Sequence, residues 1–135
     1  MLEILQKIVG VLTADAGVTA LVPATNIFVG PVDVTMEKQA ELLYPQINIF
    51  TVSEVQRSNP LNTRDTHIQI DIWDRNSQLE IENIYEAVIA ALSYQISNQG
   101  SAHIFWQRLG SAVDLYESDR RIWHRAMTYV VWSVK

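Results

Sequence analysis

Three histidines, His67, His103 and His124, and a group of carboxylates at Asp114, Glu117 and Asp119 are the residues of this sequence best suited to chemistry. Histidine could act as a general base or a metal ligand, and converging carboxylates could hold a hard cation. Spacing argues against each. His67 and Asp71 share one face of an extended segment but stand about 13 Å apart at roughly 3.3 Å per residue, beyond hydrogen-bond reach. His103 and His124 pair with opposite ends of a C-terminal hairpin, so they cannot meet on one metal within a subunit. Asp114, Glu117 and Asp119 sit beside Arg120 and Arg121, which favours ion pairing or solvation over a cation site. There is no Walker loop, no G-x-G-x-x-G, no G-x-S-x-G and no H-E-x-x-H, and the five glycines are dispersed. The expectation is a protein that is not an enzyme, with no cofactor, no metal and no small-molecule ligand.

The elements that hold these residues follow from periodicity. Leu2, Leu5, Ile8, Val9 and Leu12 recur at helical spacing, which places a helix over about 2–13, and the stretch from Val18 to Val22 adds a turn before Pro23. Asn26 to Gly30 reads as a brief strand closed by Gly30-Pro31. From Tyr44-Pro45 the pattern alternates through Ile47 and Ile49 to about Val55, and again through Ile68, Ile70 and Ile72. These two strands form a hairpin with a long polar tip. Ser77 followed by Glu80 is a capping-box start, and Ile81, Ile84, Tyr85, Val88, Ile89, Leu92 and Ile96 give the main helix its apolar stripe. Two extended stretches follow, Ala102 to Tyr116 and Arg121 to Val134. With Ser118 and Asp119 at the turn, Leu115 faces Ile122, Val113 faces His124 and Phe105 faces Trp132. The fold class is therefore α+β: a mixed or antiparallel sheet of about four to five strands, one long helix and an N-terminal helix packed on it, and a C-terminal β-hairpin. At 135 residues, the expectation is a single domain over 1–135.

Composition narrows the class. The absence of cysteine removes disulfide scaffolds and thiol nucleophiles and suits a reducing compartment. Glu3 and Lys7 interrupt the first apolar pattern, so it does not read as a signal peptide, and no apolar run approaches the roughly 20 residues of a membrane span. A net charge of −5 with scattered basic residues disfavours tight nucleic-acid binding.

One face of the C-terminal hairpin carries Trp106, Arg108, Trp123, Arg125 and Tyr129, a mixture too aromatic for solvent and too charged for an undisturbed core. Tryptophan, tyrosine and arginine dominate interface energetics, so these five are the candidate subunit-interface residues. The long segments 31–44 and 56–65 are the candidate partner-contact loops, with Met36, Glu37, Lys38, Glu41, Arg57, Asn59 and Arg64 as the residues to watch.

The order of elements, with Val18-Thr19-Ala20-Leu21-Val22, Asn26-Ile27-Phe28, Tyr44-Pro45-Gln46-Ile47, Ile68-Gln69-Ile70-Asp71-Ile72-Trp73 and Trp123-His124-Arg125, resembles the tail terminator, or tail-completion, family of long-tailed bacteriophages. These segments cover nearly the whole chain, and their order carries the likeness. The resemblance implies a hexameric ring that caps the finished tail tube, ends its polymerisation and presents a surface to the neck or head-completion proteins. The implied partners are copies of itself, the tube protein and a neck protein, with DNA passing through the lumen without specific binding. The implied location is the virion tail or neck, after assembly in the host cytoplasm. Two other classes stay open: a different neck or tail component such as a head-closure or tube-like subunit, and a small-ligand domain using a helix–sheet groove, for which the sequence holds no convergent polar set.

Overall fold

The computed structural model describes residues 2–30, 44–56, 63–92, 96–97, 103–117 and 122–134, with side chains described over 4–30, 44–53, 65–92, 112–116 and 122–131. Helix α1 (Leu2–Ala14) forms where Ile4, Leu5, Ile8 and Leu12 recur every three or four residues and are all buried. It ends at Asp15, whose extended backbone lets Oδ1 accept the Val18 amide at 3.0 Å and so start the short helix α2 (Ala16–Thr19).

The remaining elements are β1 (Ile27–Val29), β2 (Gln46–Gln56), β3 (Thr63–Asp74), helix α3 (Gln78–Leu92), β4 (Ile96–Ser97), β5 (His103–Glu117) and β6 (Ile122–Val134). The six strands form one sheet in the order β1-β2-β3-β6-β5-β4. Among the described strands, only β1 and β2 run parallel, in the register Ile27↔Ile47. Every other pair is antiparallel. Five of these strands were expected from the sequence; the sixth, β4, has two residues and so carries no alternation.

Helix α3 starts as its sequence implies, with Ser77 Oγ accepting the Glu80 amide at 3.1 Å. The Glu80 carboxylate does not complete a capping box with Ser77; it accepts from Asn76 Nδ2 at 3.0 Å. The helix ends at Leu92, short of Ile96, because Ile96 and Ser97 pair with Phe105 and Ile104.

The terminal hairpin departs from the expected register near its turn. Phe105 does face Trp132, but Leu115 faces His124, Val113 faces Ala126 and Ile122 faces Glu117. The difference is two residues, taken up between Arg108 and Ala112, where three residues of β5 stand against Thr128 alone.

Alternation sorts the sheet into two faces. Ile47, Ile49, Ile68, Ile70, Ile72, Met127, Tyr129 and Val131 point to the side holding the helices, where they join Ile8, Leu12, Ile81, Ile84, Val88 and Leu92 in one buried cluster. Full burial of each such side chain contributes about 1.5–3 kcal/mol, so this cluster is what fixes the strand faces. Among the described residues no helix lies on the opposite face, which carries Gln46, Asn48, Gln69, Asp71, Trp73, His124, Val113 and Leu115.

Candidate assembly interface

Arg125 organises the helix side of the hairpin. Its Nη2 donates to Asp114 Oδ2 at 2.9 Å on β5, its Nε to the other carboxylate oxygen, and its Nη1 to Glu82 on α3. The guanidinium carbon also lies 4.5 Å from the centre of the Tyr85 ring. Gln78 Nε2 adds a bond to Asp114 Oδ2 at 3.2 Å. Burial would disfavour the cation, yet the hydrogen bonds to Asp114 dominate and raise the Arg125 pKa above its already high value. The same contact holds the Asp114 carboxyl below the usual carboxylate range. One arginine therefore fastens the start of α3 to two strands.

The opposite face carries a polar and aromatic chain across four strands. Asn26 Nδ2 donates to the Pro45 carbonyl at 3.1 Å, and Asn48 Nδ2 to the Gly30 carbonyl at 3.0 Å, tying β1 to β2. Trp73 Nε1 donates to Asn48 Oδ1 at 2.9 Å, and the indole stacks on the His124 ring with centroids 3.8 Å apart. His124 Nε2 lies 3.2 Å from Asp71 Oδ1 without hydrogen-bond geometry, and Asp71 Oδ1 accepts from Gln69 Nε2 at 2.8 Å. This His–Asp contact joins β6 to β3 and was not foreseen, because no local spacing shows that these two strands are neighbours. His124 and Asp71 are largely buried beside Trp73, an arrangement that ties β6 to β3 on this face.

At the start of α3, Asp74 is buried beside Glu80. Desolvation first, then the neighbouring Glu80 carboxyl, push the Asp74 pKa up to about 6, against the Arg75 and Ser77 amides that favour its charged form. Glu80 is held below its ordinary range by its hydrogen bonds to Asp74 and Asn76. Among the described residues no three histidine, cysteine or acidic side chains converge as a metal site, and Asp114 is committed to Arg125.

Among the described residues, much of both sheet edges has no partner strand. On one side β1 covers β2 only at Ile47, Asn48 and Ile49, with Gly30 N adding a bond to the Ile49 carbonyl, so no described strand pairs with the outer edge of 50–56. On the other side β4 covers β5 only at Ile104 and Phe105, leaving the outer edge of 106–117 without a described partner strand. Val113 and Leu115 stand about half exposed on this edge, and Tyr116 beside them packs against Trp123 with ring centroids 4.4 Å apart.

A family model, tail completion protein gp17, matches residues 6–133. The chain belongs to that family. Among solved structures, the fold is similar to a chain of the virion of a native gene transfer agent particle, with a TM-score of 0.65 and 12% identity, covering 95% of this chain and 92% of that one. No relative was found among curated protein sequences. As a tail completion protein the chain is a structural component of the phage virion tail, and no helix among its described residues is long and apolar enough to cross a membrane.

Among the expected interface residues of the tail completion protein, those whose side chains are described stand on the side holding the helices. Arg125 and Tyr129 are buried, at 7% and 3% exposure, on the side holding the helices. Trp123 is partly buried against the core. Trp106 and Arg108 stand in register with Val131 and Tyr129, and their side chains lie outside the described residues. Where its side chains are described, this face turns toward the helices, and the charge of Arg125 on it is held by Asp114 and Glu82. Met36, Glu37, Lys38, Glu41, Arg57 and Asn59 lie outside the described residues, as do most of the segments 31–44 and 56–65. Arg64 is not in a loop: it belongs to β3, between Gln56 and Ser133.

Proposed function

We propose that this tail completion protein acts as a subunit of a ring, hexameric in its closed form, that seats on the end of the tail tube, ends tube polymerisation and joins the tail to the neck or head-completion proteins. The observation that carries this reading is the family match across 6–133, which leaves only the extreme ends of the chain outside it. The architecture supports it. A cyclic ring needs two different contact surfaces on each subunit, and the two sheet edges, each with a stretch that has no described partner strand, lie on opposite sides of one sheet. We take 1–135 as one domain, the segments 31–44 and 56–65 as contacts to tube or neck, and the net charge of −5 as suited to a lumen through which DNA slides without being held.

The test is the mass of the purified protein in solution, followed by electron microscopy of the protein mixed with pre-formed tail tubes. A discrete ring, or a monomer that adds one disc to a tube end and stops its growth, is the expected result. Open-ended polymerisation would identify a tube-like subunit instead, and indifference to tubes would overturn the reading.

A further inference from the structure

We infer that the ring closes by strand addition, the outer edge of β5 at 112–117 of one subunit pairing antiparallel with the outer edge of β2 at 50–56 of a second copy of this chain. The inference rests on the ring reading above and specifies its contact.

Three observations select a second copy as the occupant. First, both edges are composed as pairing strands. The run Ala112-Val113-Asp114-Leu115-Tyr116-Glu117 and the run Phe50-Thr51-Val52-Ser53-Glu54-Val55-Gln56 contain neither proline nor lysine, the residues that commonly protect an exposed edge. Val113, Leu115 and Val52 are exposed at 51%, 49% and 57%.

Second, strand direction fits. In the antiparallel ladders β2 and β6 run one way and β3 and β5 the other. Rotation about a ring axis preserves direction along that axis, so β5 meets the next copy's β2 antiparallel, the pairing with the straighter hydrogen bonds.

Third, one register between the two edges closes a cylinder of ordinary strand tilt. Following the ladders across the sheet, Ser53 is level with His67, Val130 and Gln107. Bringing Leu115 opposite the next copy's Ser53 therefore shifts the chain from Gln107 to Leu115, about six residues once the irregularity in β5 is subtracted, or roughly 20 Å. The four long strands span about 19 Å at about 4.8 Å per strand, which gives a tilt near 45°, at the upper end of the range closed sheets adopt. Leu115 opposite Ser53 also places Val113 opposite Val55. Leu115 points away from the helices, as does Ser53 through its pairing with His67, so this register keeps like faces together from Ser53 to Gln56, up to the irregularity of β2 between Thr51 and Ser53.

The test uses the full chain, which has no cysteine of its own. Ser53→Cys and Leu115→Cys are made singly and together, folding is checked by thermal melting, and the assembled ring is treated with a short thiol-to-thiol crosslinker. The double variant is expected to give a denaturant-resistant ladder ending at the subunit number of the ring, and each single variant is expected to stay monomeric on the gel. A ring that assembles but gives no ladder in the double variant overturns this contact while leaving the ring reading intact. Dimers from Leu115→Cys alone overturn it in favour of symmetric β5–β5 pairing. Failure of the unsubstituted protein to form any ring, even on tube ends, overturns both readings together.

Discussion

The indole of Trp73 and the imidazole of His124 lie stacked, with planes 7° from parallel, across the central pair of strands β3 and β6. The indole also donates to Asn48, which is 1% exposed, so a single side chain links three strands on the face away from the helices. Trp73→Phe keeps an aromatic ring but leaves Asn48 Oδ1 without its buried donor, and is expected to cost about 1–3 kcal/mol. Trp73→Ala removes the stack as well and should cost about 3–5 kcal/mol. Urea unfolding of both variants checks this; no loss in Trp73→Phe would show that the hydrogen bond contributes nothing, and equal losses in the two would show that the stack contributes nothing.

Arg125 predicts that a conservative change is not conservative. Lysine cannot reach Asp114 through two nitrogens while contacting Glu82 and lying over Tyr85. Because Glu82 and Asp114 are themselves substantially exposed, they rehydrate when the partner is lost, and Arg125→Lys is expected to cost about 1–2 kcal/mol, below the range for a fully buried pair. The Asp114 carboxyl is held low in the folded state, so its contribution is present above its unfolded pKa and disappears as the solution is acidified below that range. In Arg125→Lys this acid-side loss should be smaller, as read from melting temperature against pH.

Asp74 has the opposite sign. Its folded pKa, raised from 3.8 to about 6, means that the neutral form is the one the fold prefers. The associated stability is fully present below the unfolded value and is lost as pH rises through about 6, the pair with Glu80 titrating as a unit. Asp74→Asn keeps the shape, removes the charge, and should raise stability at neutral pH on the order of 1–3 kcal/mol while flattening the profile between about pH 4 and 6. A flat profile in the unsubstituted protein would refute the assignment.

Gly30 has φ +110° and open space where a Cβ would stand. Gly30→Ala is therefore expected to destabilise by about 1–2 kcal/mol through backbone strain alone, without a clash. Its amide and carbonyl hold β1 to Ile49 and Asn48, so hydrogen exchange at β1 should rise more than at β3.

The fold was legible wherever the pattern was local. Helices α1 and α3 and strands β2, β3, β5 and β6 follow from their periods, because one buried face dictates each of them. The contacts that join distant strands were not legible. Nothing in the residues around Asp71 says that His124 will stand beside Trp73, since that depends on β6 lying next to β3. The same gap misplaced Arg125 and Tyr129: without knowing which hairpin face the helices occupy, a buried arginine with two acidic partners reads like an exposed contact residue. The two-residue register change in β5 was invisible because Leu109-Gly110-Ser111 gives no signal beyond one glycine.

That register change also limits how the strand can vary in length. Its surplus of residues over β6 is even, so side chains keep their assigned sides both before and after the irregularity. Deleting two of the three residues 109–111 would straighten the hairpin and leave Asp114 still beneath Arg125. Deleting one would turn Val113 and Leu115 inward and expel Asp114. Related chains should therefore tolerate insertions and deletions here in pairs, and a natural variant one residue longer should carry a compensating change elsewhere in the same strand.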